Sequence, residues 1–347
     1  MTITKKKTIV VADDDRTVRT LLGKILDTNE FRVELADRGE KCLFFALERH
    51  VDAFLIDVNM PGLGGIELCR RLRAMERYRI TPIMFITSDE DEASLSEGFA
   101  AGATDLILKP LNPTVLHARL NAHLERVRYF SEMQQARDYL KRYISTRTQS
   151  VVEAYSVTGI LPSPERTDVC VMFSDVRGFT TLSRIIGMED LFENLSRLLG
   201  MQVDLVHKHG GYIDKFGGDG IMAIFDGDEM VAAACRCAVD IVRRLDTLEQ
   251  QGQKYRLPVG IGLAAGPVMI GNIGSPEHLD YSAIGENVNL AARLCGHAEA
   301  GQILVSESVR EGAAGGESFR LGRGMPVQIK GFSEPVTVYA LHGREPA

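Results

Sequence analysis

The chain lacks any apolar run long enough to cross a bilayer, and even the stretch Met230–Val242 is broken by Arg236 and Asp240. That excludes a membrane-spanning helix. The opening MTITKKKTIVVADDD has no apolar core followed by small residues, so no secretory signal is read. Basic charge is not in excess either. Forty Lys and Arg face 47 Asp and Glu, a net charge of −7, with −3 over residues 1–125 and −4 over residues 126–347. Without a basic tail or face, nucleic acid is excluded as the main partner. Cysteine is sparse. Cys42, Cys69, Cys170, Cys235, Cys237 and Cys295 lie inside apolar periodic segments, without disulfide-framework spacing, which fits a reduced, cytoplasmic setting. What remains is a chain of 347 residues, 45% hydrophobic and 25% charged, the profile of a soluble protein with two or three globular domains.

Short apolar runs alternate with helical periodicity in the first third. Thr8–Ala12, Phe31–Leu35, Ala53–Asp57, Ile83–Thr87 and Asp105–Leu108 read as strands. Val18–Asp27, Gly39–Glu48, Ile66–Met75, Ser94–Ala101 and Thr114–Leu124 read as helices. Five β/α repeats with buried-type strands predict a parallel sheet covered by helices on both faces. In such sheets chemistry gathers at the carboxyl ends of the strands. Polar residues fall there: Asp13 and Asp14 after the first strand, Asp57 ending the third, Thr87 ending the fourth, and Lys109 after the fifth, ahead of Pro110. X-Pro steps of this kind are the ones that adopt cis. Three carboxylates converging on one patch repel each other unless a cation joins them, and hard oxygen ligands suit Mg²⁺. One carboxylate could then attack a phosphoryl group, with a hydroxyl and an ammonium receiving the new oxygens. Taken singly, Asp13–Asp15 read as turn carboxylates and Asp57 as a strand-end residue; the ordered set of five does not.

The stretches VVADDDRTVR, FLIDVNMPGLGG, FITS and LKP resemble the receiver domain of response regulators over about the first 125 residues. The resemblance implies a flavodoxin-like (βα)5 fold. It also implies Asp57 as phosphoacceptor, Mg²⁺ held by Asp13, Asp14 and Asp57 with the Asn59 carbonyl, Thr87 and Lys109 sensing the phosphate, and a histidine kinase or other phosphodonor as partner. Two positions depart from the family pattern. Gly64-Gly65 replaces the usual Asp-Gly, and Leu106 replaces the aromatic switch residue.

Val127, Phe130, Met133, Ala136, Leu140 and Ile144 recur at three- and four-residue spacing amid charged side chains. They predict a helix continuing from the preceding domain, either paired with its copy in a dimer or packed on one of its own domains. Pro162 and Pro164 then break the helix. The expected organisation is therefore a first domain over 1–125, a connector over 126–164 and a second domain over 165–347.

In the second domain Val169–Ser174 reads as a strand and Met188–His209 as a long amphipathic helix. Tyr212–Phe216 and Ile221–Phe225 read as a hairpin closed by Gly217-Gly218-Asp219-Gly220, followed by a helix over about Glu229–Gln250 and a strand at Val259–Ala265. This βαββαβ order predicts a ferredoxin-like α+β sheet with helices on one face. Its first and third strands are antiparallel neighbours, which brings Asp175 beside Asp219. Their expected use is to bind two divalent metals, with the Val176 carbonyl as a further ligand. Gly178, Phe179 and Thr180 turn into a helix whose free N–H groups suit phosphates. Asn289 and Arg293 lie four apart on one helical face, and Lys330 precedes a glycine turn. His207 and His209 read as helix-end residues, and Cys235 and Cys237 as core cysteines.

FSDVRGFT, KFGGDG, GENVNLAARL and IKGF occur in the order found in class III nucleotidyl cyclases, which residues 165–345 resemble. TRTQSVVEAYSVTGI (146–160) resembles the segment that enters such domains. The resemblance implies two Mg²⁺ or Mn²⁺ ions on Asp175 and Asp219, Arg293 at the α-phosphate, Asn289 at the ribose and Lys330 at the terminal phosphates. It further implies sites shared across a homodimer. Lys215 can donate and not accept, which suits adenine N1 and opposes the donor edge of guanine. Ser282, at the second base-reading position, can accept from N6 or donate to O6. ATP is the expected substrate and cyclic AMP the product. Two rivals stand beside this reading. A diguanylate cyclase shares the Gly-Gly-Asp loop, but Gly220 stands where its next acid belongs; a catalytically silent cyclase-fold scaffold would be expected to have lost some of these residues.

Overall fold

The computed structural model describes residues 6–88, 92–250, 257–275, 277–313 and 319–344. The chain divides into two compact units, Met1–Asp138 and Tyr139–Ala347. Among the described residues no helix is long and apolar enough to cross a membrane.

The first unit runs β1 (Lys7–Ala12), α1 (Arg16–Leu26), β2 (Phe31–Ala36), α2 (Gly39–Glu48), β3 (Ala53–Asp57), α3 (Gly65–Arg73), β4 (Ile83–Thr87), α4 (Glu92–Ala100), β5 (Asp105–Leu108) and α5, which starts at Pro113 and ends at Leu140. The sheet is parallel, in the order β2-β1-β3-β4-β5. Alternation along the strands separates two cores. Val10, Ala12, Phe54, Ile56, Ile83 and Phe85 pack with Cys42 and Ala46 of α2 and Leu68, Cys69 and Leu72 of α3. On the other face Ile9, Val11, Leu55, Met84 and Ile86 pack with Leu22 and Leu26 of α1 and Leu116, Leu120 and Leu124 of α5. Both faces are thus covered, which is why the strands read as continuous apolar runs. The chain leaves β1 in opposite directions to reach β2 and β3, so the carboxyl ends of β1 and β3 border the topological switch point.

Beyond Leu124 the apolar stripe of α5 is largely exposed, with Phe130 at 48% and Met133 at 74%. The expected helix is continuous to Leu140, but Ile144 is not on it. The chain turns there, Tyr143 N–H donating to the Leu140 carbonyl. Ser145 then caps a second helix, α6 (Thr146–Thr158), by accepting from the Thr148 N–H at 3.1 Å. This helix ends at Gly159, which is left-handed (φ 68°), and so stops before Pro162 and Pro164 can break it.

The second unit continues with β6 (Glu165–Val176), α7 (Phe179–Ile185), α8 (Met188–Lys208), β7 (Tyr212–Phe216), β8 (Gly220–Phe225), α9 (Met230–Gln250), β9 (Val259–Ser275), β10 (His278–Ile284), α10 (Glu286–His297), β11 (Ile303–Ser306), α11 (Glu307–Ala313), β12 (Phe319–Leu321), β13 (Met325–Val327) and β14 (Val336–Arg344). Its sheet runs β12-β14-β11-β9-β6-β8-β7, with β10 on β9 and β13 on β14. β6 lies between β8 and β9, antiparallel to both. Cys170 and Met172 face a core shared with α8 and α9, where Cys235 and Cys237 are both buried. Val169 and Val171 face the opposite core, covered by Leu290, Ala291 and Leu294 of α10. Helices therefore cover both faces of this sheet, not the one face that the βαββαβ order predicts. The sequence beyond residue 265 supplies α10, and Gly262 admits it: a Cβ there would lie 2.1 Å from the Cys295 nitrogen.

Candidate functional site

In the first unit, Asp13 and Asp57 are buried at the ends of β1 and β3, 1% and 6% exposed. The Lys109 ammonium bridges them, donating to Asp57 Oδ1 at 2.8 Å and Asp13 Oδ2 at 3.1 Å. Backbone N–H groups take the other oxygens, Asn59 donating to Asp57 Oδ2 at 3.1 Å and Asp15 to Asp13 Oδ1 at 2.8 Å. Burial raises the pKa of Asp57 and the Lys109 hydrogen bond partly offsets it. Burial works against the Lys109 charge, but the two carboxylates outweigh it and raise that pKa. Thr87 is buried at the end of β4, and its carbonyl accepts from the Lys109 N–H at 2.8 Å. The Lys109–Pro110 peptide is cis.

Of the three expected carboxylates, Lys109 contacts two, Asp13 and Asp57. Asp14 is exposed, as is Asn59, and among the described residues no group of three His, Cys, Asp or Glu side chains could hold a metal ion. The Lys109 ammonium supplies a neutralising charge to Asp13 and Asp57. Asp15, next in the acidic run, caps α1 by accepting from the Thr17 N–H at 2.7 Å.

In the second unit the β6–β8 register sets Asp175 opposite Gly220, and Asp219 immediately precedes it in the turn. The two carboxyl groups interact directly. Burial first, and then the charge of Asp219, raises the pKa of Asp175, against the pull of Arg177. Gly220 is required by this pairing, since a Cβ there would lie 2.1 Å from the Ser174 carbonyl oxygen. Past Val176, Gly178 adopts a left-handed conformation (φ 70°) and opens α7, its carbonyl accepting from Thr181 and Leu182. Phe179 is partly buried against the core and Thr180 is exposed.

Arg177, to which the motifs assign no role, pins this corner. Its guanidinium donates to Asp175 Oδ2 at 3.3 Å and to the Cys295 carbonyl at 2.6 Å, while its buried Nε has no hydrogen-bond partner.

Within the same hairpin, the β7–β8 register shifts between Ile213 and Lys215. Such a bulge re-aims side chains; Asp214 and Lys215, though adjacent, both reach β10. Ser282 donates to Asp214 Oδ2 at 2.5 Å, and Lys215 donates to Asp280 Oδ2 at 3.1 Å. Ser282 is 1% exposed, whereas the Lys215 and Asp280 side chains are 45% and 58% exposed. Burial raises the pKa of Asp214, opposed by the Ser282 hydrogen bond and Lys215. Sequence reasoning missed Asp214 and Asp280; the acids flanking Lys215 and Ser282 were the available signal.

Asn289 and Arg293 occupy the exposed face of α10, and Lys330 is exposed at the turn where the Phe332 N–H donates to the Ile329 carbonyl. Among the described residues, none of these three has a hydrogen bond or ion pair to the Asp175–Asp219 pair. Of the two candidate helix-end histidines, His209 pairs with Asp240 at 2.9 Å.

The family described as Adenylate and Guanylate cyclase catalytic domain matches residues 161–343, and that described as Response regulator receiver domain matches residues 9–121. An adenylate cyclase of Anabaena cylindrica is 29% identical over 221 residues, covering 60% of this chain and 44% of that protein. The transcriptional regulatory protein ResD of Bacillus subtilis is 36% identical over 123 residues, covering 35% of this chain and 50% of that protein. The chain thus spans half or less of the length of these relatives. The solved structure of a bacterial light-regulated adenylyl cyclase shares the fold, with a TM-score of 0.54 and 24% identity over 70% of this chain and 69% of that one. The carboxylate pair at the β6–β8 corner, the Asp57–Lys109 cluster and these matches agree: the chain belongs to the adenylate and guanylate cyclase catalytic domain family and carries a response regulator receiver domain ahead of that domain.

Proposed function

We propose that the protein is an adenylate cyclase of the cytoplasm, converting ATP to 3′,5′-cyclic AMP and pyrophosphate under control of phosphorylation at Asp57. The observation that carries the reading is the meeting of Asp175 and Asp219, where burial first and then the charge of Asp219 raise the Asp175 pKa. Two hard carboxylates in repulsive contact are a donor set that fits divalent cations. Asp175 and Asp219, with the Val176 carbonyl, would hold two Mg²⁺ or Mn²⁺ ions, which when bound acidify the ribose 3′-OH and neutralise the triphosphate.

The chain's own groups do the rest. The 3′-oxygen forms a bond to the α-phosphorus as the bond to the bridging oxygen breaks, and pyrophosphate leaves. The N–H groups of Gly178, Phe179 and Thr180 receive phosphate oxygens at the start of α7. Arg293 stabilises charge developing at the α-phosphate, Asn289 orients the ribose, and Lys330 binds the terminal phosphates. Lys215 donates to adenine N1. Asn289, Arg293 and Lys330 make no hydrogen bond or ion pair with the carboxylate pair of their own chain, which supports a site completed by a second copy, in a homodimer with two sites.

In the receiver domain, Asp57 would attack the phosphodonor. Asp13, Asp14 and the Asn59 carbonyl would serve Mg²⁺, an ion suited to hard oxygens, and Lys109 and Thr87 would receive the phosphoryl oxygens. The connector, residues 126–164, would carry the change to the cyclase domain. Gly220 also weighs against the diguanylate reading, because the strand pair has no room for a side chain there. Purified protein given ATP with Mg²⁺ or Mn²⁺, with and without a small phosphodonor, tests the proposal. It expects cyclic AMP at a rate that changes with phosphorylation; equal rates for wild type and Asp57→Ala under both conditions would refute the coupling.

A further inference from the structure

One guanidinium holds the carboxylate corner and the end of α10 at once. Arg177 donates from one terminal nitrogen to Asp175 Oδ2 at 3.3 Å. From the other it donates to the Cys295 carbonyl at 2.6 Å and to the Cys295 sulfur at 3.3 Å. Its backbone N–H donates to the Pro258 carbonyl at 2.7 Å, which fixes where the side chain starts. Gly260 makes the room, since a Cβ there would lie 2.4 Å from the Arg177 Nε. The Cys295 carbonyl belongs to the last turn of α10, where carbonyls lack a partner further along the helix and the dipole is negative. The two ends of the bridge are unequal. The Asp175 side chain is 42% exposed, so water reaches the long 3.3 Å contact, whereas the short bond lies on buried Cys295. The bridge also leaves the buried Nε without a partner, a cost in stability that asks for a compensating role.

We infer that Arg177 is a positioning residue that yields Asp175 to the metals and keeps α10, so that metal loading is coupled to the seating of Asn289 and Arg293. This rests on the reading of Asp175 and Asp219 as metal ligands. A divalent cation at Asp175 and the guanidinium beside it are like charges that compete for one carboxylate. Of its two acceptors the guanidinium gives up the weaker and more solvated one, and is left wholly to the helix end. The C-terminus of α10 is then held more firmly, on the helix that carries Asn289 and Arg293. Coupling of this kind is reciprocal, so removing the bridge must also change metal affinity. In a dimer with shared sites, Asp175 serves one site while Asn289 and Arg293 of the same chain serve the other. Arg177 therefore links the two sites.

The test measures Mn²⁺ affinity and amide hydrogen exchange on full-length wild type, Arg177→Met, Arg177→Lys and Asp219→Ala. Arg177→Met removes the competing charge, so its Mn²⁺ dissociation constant should fall about threefold or more. Arg177→Lys keeps the charge but not the two-sided reach, and its Mn²⁺ affinity should stay within about twofold of wild type. Mn²⁺ should slow exchange in the last turn of α10 in wild type and in neither Arg177 variant. The kcat for ATP should drop about tenfold in both variants. Tighter metal with slower turnover is a split that general loosening of the corner would not give, because loosening weakens both. Weaker Mn²⁺ binding by Arg177→Met, a slowing of α10 exchange that persists in it, or a kcat unchanged in both variants overturns the inference. Failure of the metal reading shows separately, as Mn²⁺ binding that Asp219→Ala does not diminish, and overturns both. If the wild type forms no cyclic nucleotide, affinity and exchange decide alone. Melting temperatures verify folding; should Arg177→Met not fold, Arg177→Lys decides by the same exchange readout.

Discussion

The carboxyl groups of Asp175 and Asp219 meet across the corner where β6 pairs with β8, and burial together with their repulsion holds the Asp175 proton more tightly than usual. A ligand that binds the folded chain and relieves this repulsion must stabilise it. Mg²⁺ or Mn²⁺ should raise the melting temperature of the wild type, EDTA should reverse the rise, and Asp219→Ala should abolish it. The same substitution should lower kcat by about a thousandfold or more. An undiminished metal-dependent rise in Asp219→Ala would place the metals elsewhere.

Asp57 and Lys109 form the corresponding pair in the receiver domain. Incubation with a small phosphodonor and Mg²⁺ should yield one acid-stable, base-labile phosphoryl group per wild-type chain, visible as an intact-mass increase. Asp57→Ala should show none. Lys109→Met leaves the buried Asp13 and Asp57 without their ammonium and should lower the melting temperature of the receiver domain, and it should lose any effect of phosphorylation on the cyclase rate. Labelling of Asp57→Ala at the wild-type level would remove Asp57 from this role.

Asn289 and Arg293 on the outer face of α10 predict complementation between defective copies. Asp219→Ala and Arg293→Ala proteins, each inactive alone, should regain part of the wild-type rate when mixed, because one site of a mixed dimer is complete. Absence of recovery in mixtures proven to contain mixed dimers would contradict the shared site.

Asp214 gives a pH signature. Its pKa is raised in the folded chain, by burial first and by Asp280, against the lowering effects of Ser282, Lys215 and the Ala283 N–H; partly buried Tyr212 also borders it. A carboxyl group whose folded pKa is raised contributes stability that is fully present below the unfolded pKa of about 3.9, and this is lost as pH rises through the folded value. Melting temperatures measured from acid to neutral pH should therefore show wild type losing ground to Asp214→Asn as pH rises. Movement in the other direction would mean that the ionised carboxylate is a net stabiliser here.

Much of this fold was legible because the patterns were local. Five buried-type strands alternating with helices dictate a parallel sheet, and Asp13, Asp57, Thr87 and Lys109 follow from where those strands end. Asp175 and Asp219 could be joined because one topological rule, antiparallel first and third strands, was enough. What escaped depended on facts that no spacing encodes. The helix α10 crosses to the second face through the gap that Gly262 leaves, and the helix after the receiver stops at Leu140 through a turn and a serine cap. The contacts between β7 and β10 were the hardest to read. A register shift between Ile213 and Lys215 accompanies the reach of both Asp214 and Lys215 to β10, at Ser282 and Asp280.

Whether the protein is an adenylate cyclase is decided by separating the products that the purified full-length chain forms from ATP and, in parallel, from GTP with Mn²⁺ or Mg²⁺. Cyclic AMP and pyrophosphate should appear in equal amounts from ATP, with far less cyclic GMP from GTP. Folded, dimeric, phosphodonor-treated protein that makes no cyclic AMP, or that makes cyclic di-GMP from GTP, would contradict the adenylate cyclase reading.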